Sequence, residues 1–171
     1  MPIRTIITIS HIIGTVLGAG GATFAEIFYI KSMRDGQVDP TESSFLKTTY
    51  RVIRIGLIIL ILSGLAYFIL FRIEGRTTVL YSERMWAKII LTLIILGNAI
   101  LLQARKIPFW LGSAISLTSW YAALVLGVWR SMQVPPATMI VVYGAAIMGI
   151  ALILHIIRAS LVPSALKAKV Y

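Results

Sequence analysis

Two ionisable side chains lie inside the first apolar stretch of the chain, His11 near its beginning and Glu26 near its end. A charge or an imidazole in hydrocarbon is costly unless a partner, a ligand or water compensates it, so these residues are the first candidates for function. An imidazole can bind a metal or a haem iron, or carry a proton. It can also be a hydrogen-bonded structural group between helices. Glu26 is expected to be a structural partner of Arg54, Arg51 or His155.

Small residues follow His11 at helical spacing. At 100° per residue, Gly14 and Gly18 share one face of a helix with His11, and Ala22 and Ala25 continue it. A face without bulky side chains permits close contact with another helix, a homodimer seam, or a flat ligand lying against the backbone. We therefore predict a groove beside His11 whose occupant is either a helix or a cofactor.

The composition indicates the membrane as the solvent. Of 171 residues, 58% are hydrophobic and 13% charged, and the mean hydropathy is +0.91. Too little polar surface exists to cover a soluble core. The net charge of +10 comes from basic residues between the apolar runs, which is typical of membrane-flanking loops rather than of nucleic-acid binding.

The absence of cysteine excludes several kinds of site. Disulfides, thiolate metal sites, iron–sulfur clusters and thioether-linked haem all need cysteine, and the chain has none. With two histidines, any haem or metal site must use few protein ligands.

Five apolar runs are long enough to cross a bilayer. We predict a single all-α membrane domain over residues 1–171, a bundle of five transmembrane helices at about 5–30, 50–71, 85–103, 110–129 and 137–158. Asp35–Gly36 separates the first two runs, and Asp39 is predicted to cap a helix that begins at Pro40, with Glu42 completing a capping box. Trp120 lies deep in its run and is expected to pack inside the bundle.

The basic residues predict an orientation. More of them fall on the side of the carboxyl tail, which carries Lys167 and Lys169, than on the side of the amino terminus. The positive-inside rule then places the amino terminus outside and the carboxyl terminus in the cytoplasm, and we expect a prokaryotic plasma membrane.

Odd-numbered spans run in one direction, so their residues can be compared in depth. His11 and Lys88 are expected at one level near the outer end, where Lys88 either meets His11 or extends to the headgroups. At the opposite end Glu26, Arg54 and His155 can form a polar cluster. The two histidines are separated by much of the hydrocarbon, about 30 Å thick, and cannot bind one iron together.

The order of several short motifs resembles a known family. His11 in the first span, the segment at 45–53, Gly64 and the triplet Trp86-Ala87-Lys88 resemble the HemJ-type protoporphyrinogen oxidases and the related CopD-like membrane proteins, over about residues 8–105. The resemblance implies that the histidine at position 11 binds a b-type haem. It also implies that the lysine at position 88 is important for activity, which makes it a candidate catalytic residue.

Two classes of function follow. The first is a haem-binding redox or electron-transfer protein: His11 is the metal ligand, Gly14 and Gly18 leave room for the macrocycle, and Lys88 or Arg84 pairs with a propionate, or Lys88 binds the iron. The second is a non-enzymatic membrane protein, either a small transporter with a proton relay or a structural subunit, that uses the Glu26/Arg54/His155 cluster. The bilayer is the expected partner and nucleic acid is not. A homo-oligomer or a larger membrane complex is left open.

Overall fold

The computed structural model describes residues 2–32, 39–129 and 134–161. These residues form six helices and no strand: α1 (Pro2–Ser32), α2 (Pro40–Ile73), α3 (Thr77–Leu80), α4 (Glu83–Gln103), α5 (Phe109–Val128) and α6 (Pro136–Leu161). All but α3 are long and apolar enough to cross a membrane. The predicted all-α class with five spans is confirmed, and by length and composition the chain is an integral membrane protein.

The start of α2 follows the predicted capping chemistry. The Asp39 side chain accepts a hydrogen bond from the Glu42 amide at 2.7 Å, and the Glu42 carboxylate accepts one from the Asp39 amide at 3.2 Å. This reciprocal pair satisfies two amides that the helix cannot bond internally. The short helix α3 was not predicted. The predicted break at Asp35–Gly36 and the basic tail residues Lys167 and Lys169 lie outside the described residues.

The closest helix contact joins α1 and α2, which run antiparallel. A Cβ atom added to Gly56 would lie 2.8 Å from both the Gly14 carbonyl oxygen and the Gly18 amide nitrogen, so the two backbones touch there. We call the end of the bundle where α1 ends and α2 begins the Pro40 end, and the opposite end the Arg4 end. At the Arg4 end, Arg4 forms an ion pair with Glu74.

The helices α1, α4 and α6 all pack against α5. Trp120 is fully buried and packs with Ala19 and Leu60, which confirms its predicted place inside the bundle. Asn98 of α4 donates a hydrogen bond to the Gly112 carbonyl at 2.9 Å. The α6 helix is joined to α5 by a hydrogen bond of 2.6 Å between the hydroxyls of Tyr143 and Ser119. The buried core therefore lies around Trp120, where α1, α2, α4 and α5 meet.

We expect Gly56→Ala to destabilise the protein by about 1–3 kcal/mol, because the new methyl group has no room against the α1 backbone. Gly64→Ala, on the same helix, meets open space and gains helix propensity, so its change should lie between zero and about 1 kcal/mol of stabilisation. Unfolding of both variants in detergent, followed by circular dichroism, measures the difference. Equal stability of the two would contradict the close backbone contact.

Candidate functional site

A buried ion pair connects the first and last helices at the Pro40 end. Arg158 of α6 donates to Glu26 Oε1 from Nε at 3.1 Å and from Nη2 at 2.5 Å. The two side chains expose only 13% and 8% of their surface. Charges removed from water must be compensated locally, and here each compensates the other. Glu26 is thus paired inside the bundle, as expected for a carboxylate at this depth.

The guanidinium of Arg158 has neutral partners as well. Its Nη2 donates to the Ser113 hydroxyl at 2.8 Å. Its central carbon lies 5.2 Å from the ring centre of Tyr29 and 5.5 Å from that of Phe109, within cation–π range of both. The Arg158 cation is therefore stabilised by three groups besides the carboxylate.

A small cavity adjoins the pair. It has a volume of about 30 Å³, enough for one or two water molecules, and its wall includes Glu26 and the hydroxyl-bearing residues Tyr50, Ser113 and Ser116. Both hydrogen bonds from Arg158 end on Oε1, so Oε2 of Glu26 has no hydrogen-bond partner among the described residues. Oε2 is not among the fully enclosed polar atoms that lack a partner. The carboxylate thus has a free oxygen beside a space that water can fill.

Glu26 is not paired with the partners predicted for it, Arg54 and His155. Arg54 and His155 are both exposed, Arg54 on α2 and His155 on α6, and neither forms an ion pair with Glu26 in the part of the chain that the structure describes. The Glu26/Arg54/His155 cluster is therefore corrected to a Glu26–Arg158 pair. Arg158 lies one turn beyond His155 and reaches inward, because α6 presents that face to α5 and α1.

His11 lies in the α1–α2 contact near the Arg4 end. Its Nδ1 is 2.9 Å from the Ser63 hydroxyl, and its ring meets Tyr67 edge-on at 5.9 Å. The Ser63 hydroxyl also lies 2.7 Å from the Ile59 carbonyl oxygen and 3.1 Å from that of Leu60. When it donates to either carbonyl, it accepts from Nδ1–H, and in that tautomer Nε2 is unprotonated. Among the described residues Nε2 has no hydrogen-bond partner.

Lys88 and Arg84 lie at the His11 end of the bundle, at the start of α4. Lys88 lies in the second turn of α4 and is half-buried. Arg84 donates to the Leu126 carbonyl at 3.2 Å and to the Gly127 carbonyl at 3.3 Å, at the end of α5.

The groove predicted beside His11 is filled by helix packing. An added Cβ at Gly14 would lie 2.8 Å from the Leu60 amide nitrogen, and one at Gly18 would lie 2.1 Å from the Trp120 ring. A macrocycle does not fit against this face, because α2 and Trp120 already cover it. The sequence allowed either a helix or a cofactor in this groove. The structure places the helix α2 there, together with the indole of Trp120.

Several members of the site were not predicted from the sequence. Ser113 and Tyr29 lie in apolar runs and Phe109 directly precedes one, and nothing in their spacing marks them. Arg158, at the end of the last predicted run, is not among the predicted site residues. The position of Arg158 in the sequence was the available signal. The first and last spans run parallel, so Arg158 near the end of α6 lies at the level of Glu26 near the end of α1. Within the described ranges, no group of three or more histidine, aspartate or glutamate side chains could hold a metal ion.

Comparisons of the chain with models of known families, with curated proteins and with solved structures find no match. The arguments about function therefore depend on the residues themselves.

Arg158→Met should destabilise the protein by about 3–5 kcal/mol, because it leaves the Glu26 carboxylate buried without a counter-charge. The double variant Glu26→Met/Arg158→Met removes both charges and should recover most of the loss. Thermal unfolding of the three proteins in one detergent measures this. A double variant as unstable as Arg158→Met would show that packing, and not charge, explains the effect.

Proposed function

We propose that the chain is a small membrane transporter that handles protons through the Glu26–Arg158 pair. The observation that carries the proposal is a buried carboxylate with a free oxygen beside a water-sized cavity at one end of the bundle. Intramembrane carboxylates with access to water are the usual proton carriers of transporters and pumps.

The surroundings of Arg158 make a proton exchange at Glu26 feasible. In the proposed step, a hydronium ion that reaches the cavity gives its proton to Oε2 and leaves as water, so the carboxylate becomes neutral and the pair gains one positive charge. The guanidinium keeps the Ser113 hydroxyl and the faces of Tyr29 and Phe109. These contacts still stabilise the cation when the carboxylate is protonated.

Proton movement into liposomes tests the proposal. With the full chain reconstituted and a pH-sensitive dye inside, we expect an imposed pH gradient to drive proton flux. Glu26→Gln should reduce that flux to the level of protein-free liposomes, because the amide cannot take up the proton. Glu74→Gln is the matched control: it removes the carboxylate of the exposed Arg4–Glu74 pair and should leave flux unchanged.

Infrared difference spectra separate proton binding from a purely structural pair. On acidification the wild type and Glu74→Gln should show the carbonyl band of a buried protonated carboxylic acid, which Glu26→Gln lacks. A wild type with neither flux nor this band would contradict the proposal and leave the pair as a clamp between helices. The proposal includes the orientation with the amino terminus outside, in a prokaryotic plasma membrane.

Haem binding at His11 is a second candidate, supported by the contact of its ring with Ser63. Ligating histidines usually have one ring nitrogen held by a neighbouring group, and here Nδ1 lies 2.9 Å from the Ser63 hydroxyl. A b-type haem bound there would supply one-electron redox chemistry. His11 shares its face of α1 with Gly14 and Gly18, which α2 and Trp120 cover, so a haem would have to reach the half-buried ring from outside this contact.

An absorption spectrum tests haem binding at His11. If it is correct, protein purified after expression with ample haem shows a Soret band that disappears in His11→Ala and persists in His155→Ala. The exposed His155 is the control for loss of any histidine. A colourless wild-type protein under these conditions would contradict haem binding.

A further inference from the structure

One face of α2 carries three cations and then becomes apolar. Lys47, Arg51 and Arg54 recur four and three residues apart, which puts them on a single helical face, and all three are exposed. The same face continues through four aliphatic residues that are between 56% and 61% exposed: Ile58, Leu62, Leu65 and Ile69. In a membrane bundle an exposed aliphatic face contacts lipid, so the basic segment lies on the lipid-facing side.

The contact of α2 with α1 shows how deep the last cation lies. Gly21 packs on Ile53, the residue before Arg54. Since α1 continues for another 11 residues to Ser32, Arg54 begins about 16 Å from the Pro40 end of the bundle. Helical side chains lean toward the beginning of their helix, so Arg54 extends toward the membrane surface at the Pro40 end.

Among the described residues these cations have no partner. The two ion pairs there are Arg4–Glu74 and Arg158–Glu26, and none of Lys47, Arg51 and Arg54 makes a side-chain hydrogen bond. A guanidinium on a lipid-facing surface needs an acceptor from the bilayer. Phosphate oxygens are the geometric match for a guanidinium, and lipid headgroups supply them at the membrane surface toward which Arg54 extends.

We propose that this face of α2 binds one anionic phospholipid, whose phosphate contacts Arg51 and Arg54. The aliphatic continuation of the face distinguishes a lipid from a free phosphate ion, because Ile58 and Leu62 lie where an acyl chain would follow the headgroup. The net charge of such a lipid also matches the excess of positive charge on this face. The inference does not depend on the proposed proton site.

Native mass spectrometry of the full chain in detergent tests the proposal. We expect the wild type to bind phosphatidylglycerol in preference to phosphatidylcholine. Each cation near an anionic headgroup is worth about fivefold in affinity, so Arg51→Gln/Arg54→Gln should weaken phosphatidylglycerol binding by roughly 25-fold. Arg72→Gln is the control, since Arg72 is exposed at the far end of the same helix.

Three results would overturn the proposal. The first is no preference for phosphatidylglycerol, and the second is an equal loss in Arg72→Gln. The third is displacement of the lipid by inorganic phosphate at the same concentration, which would indicate a free-anion site. Both arginines are exposed, so the double variant should unfold at the wild-type temperature, and Arg51→Lys/Arg54→Lys should keep most of the binding if charge is what the lipid recognises.

Discussion

The close approach of α1 and α2 at Gly14 and Gly56 is the constraint on which the other polar contacts depend. Two helices whose backbones touch fix each other's rotation and register along their full length. That register brings Ser63 to His11 and places Ile53 against Gly21. A side chain at either glycine would separate the helices, and the imidazole would lose its hydrogen bond to Ser63.

The described cations differ in how they are compensated. Glu26 and Arg158 compensate each other, Arg84 binds backbone carbonyls at the end of α5, and Arg54 is exposed on the outer face of α2. A buried ion pair is weak evidence for stability, because the cost of desolvation offsets most of the attraction, and an apolar pair of the same size is often at least as stable. The Glu26–Arg158 pair is therefore not, by itself, an explanation for the stability of the contact between α1 and α6.

Much of the fold could be predicted from the sequence, because it depends on local signals. Apolar length identifies the spans, and Asp39 with Glu42 identifies the start of α2. The partner of Glu26 could not be predicted: periodicity shows which residues share a face but not which helices are neighbours. Only the placement of α6 on α5 brings Arg158, rather than Arg54 or His155, to the carboxylate.

The packing around Trp120, between the two ends of the bundle, restricts how the proposed transporter can carry protons through Glu26. Trp120 is fully buried against Gly18, between the level of His11 and that of Glu26, and its indole nitrogen has no partner among the described residues. In the proposed proton carrier, a proton that reaches Glu26 from the Pro40 end meets the closely packed Gly18–Trp120 contact before the level of His11. Transport past this contact then requires Gly18 and Trp120 to separate. A carrier that changes conformation meets this requirement, and a continuous channel does not.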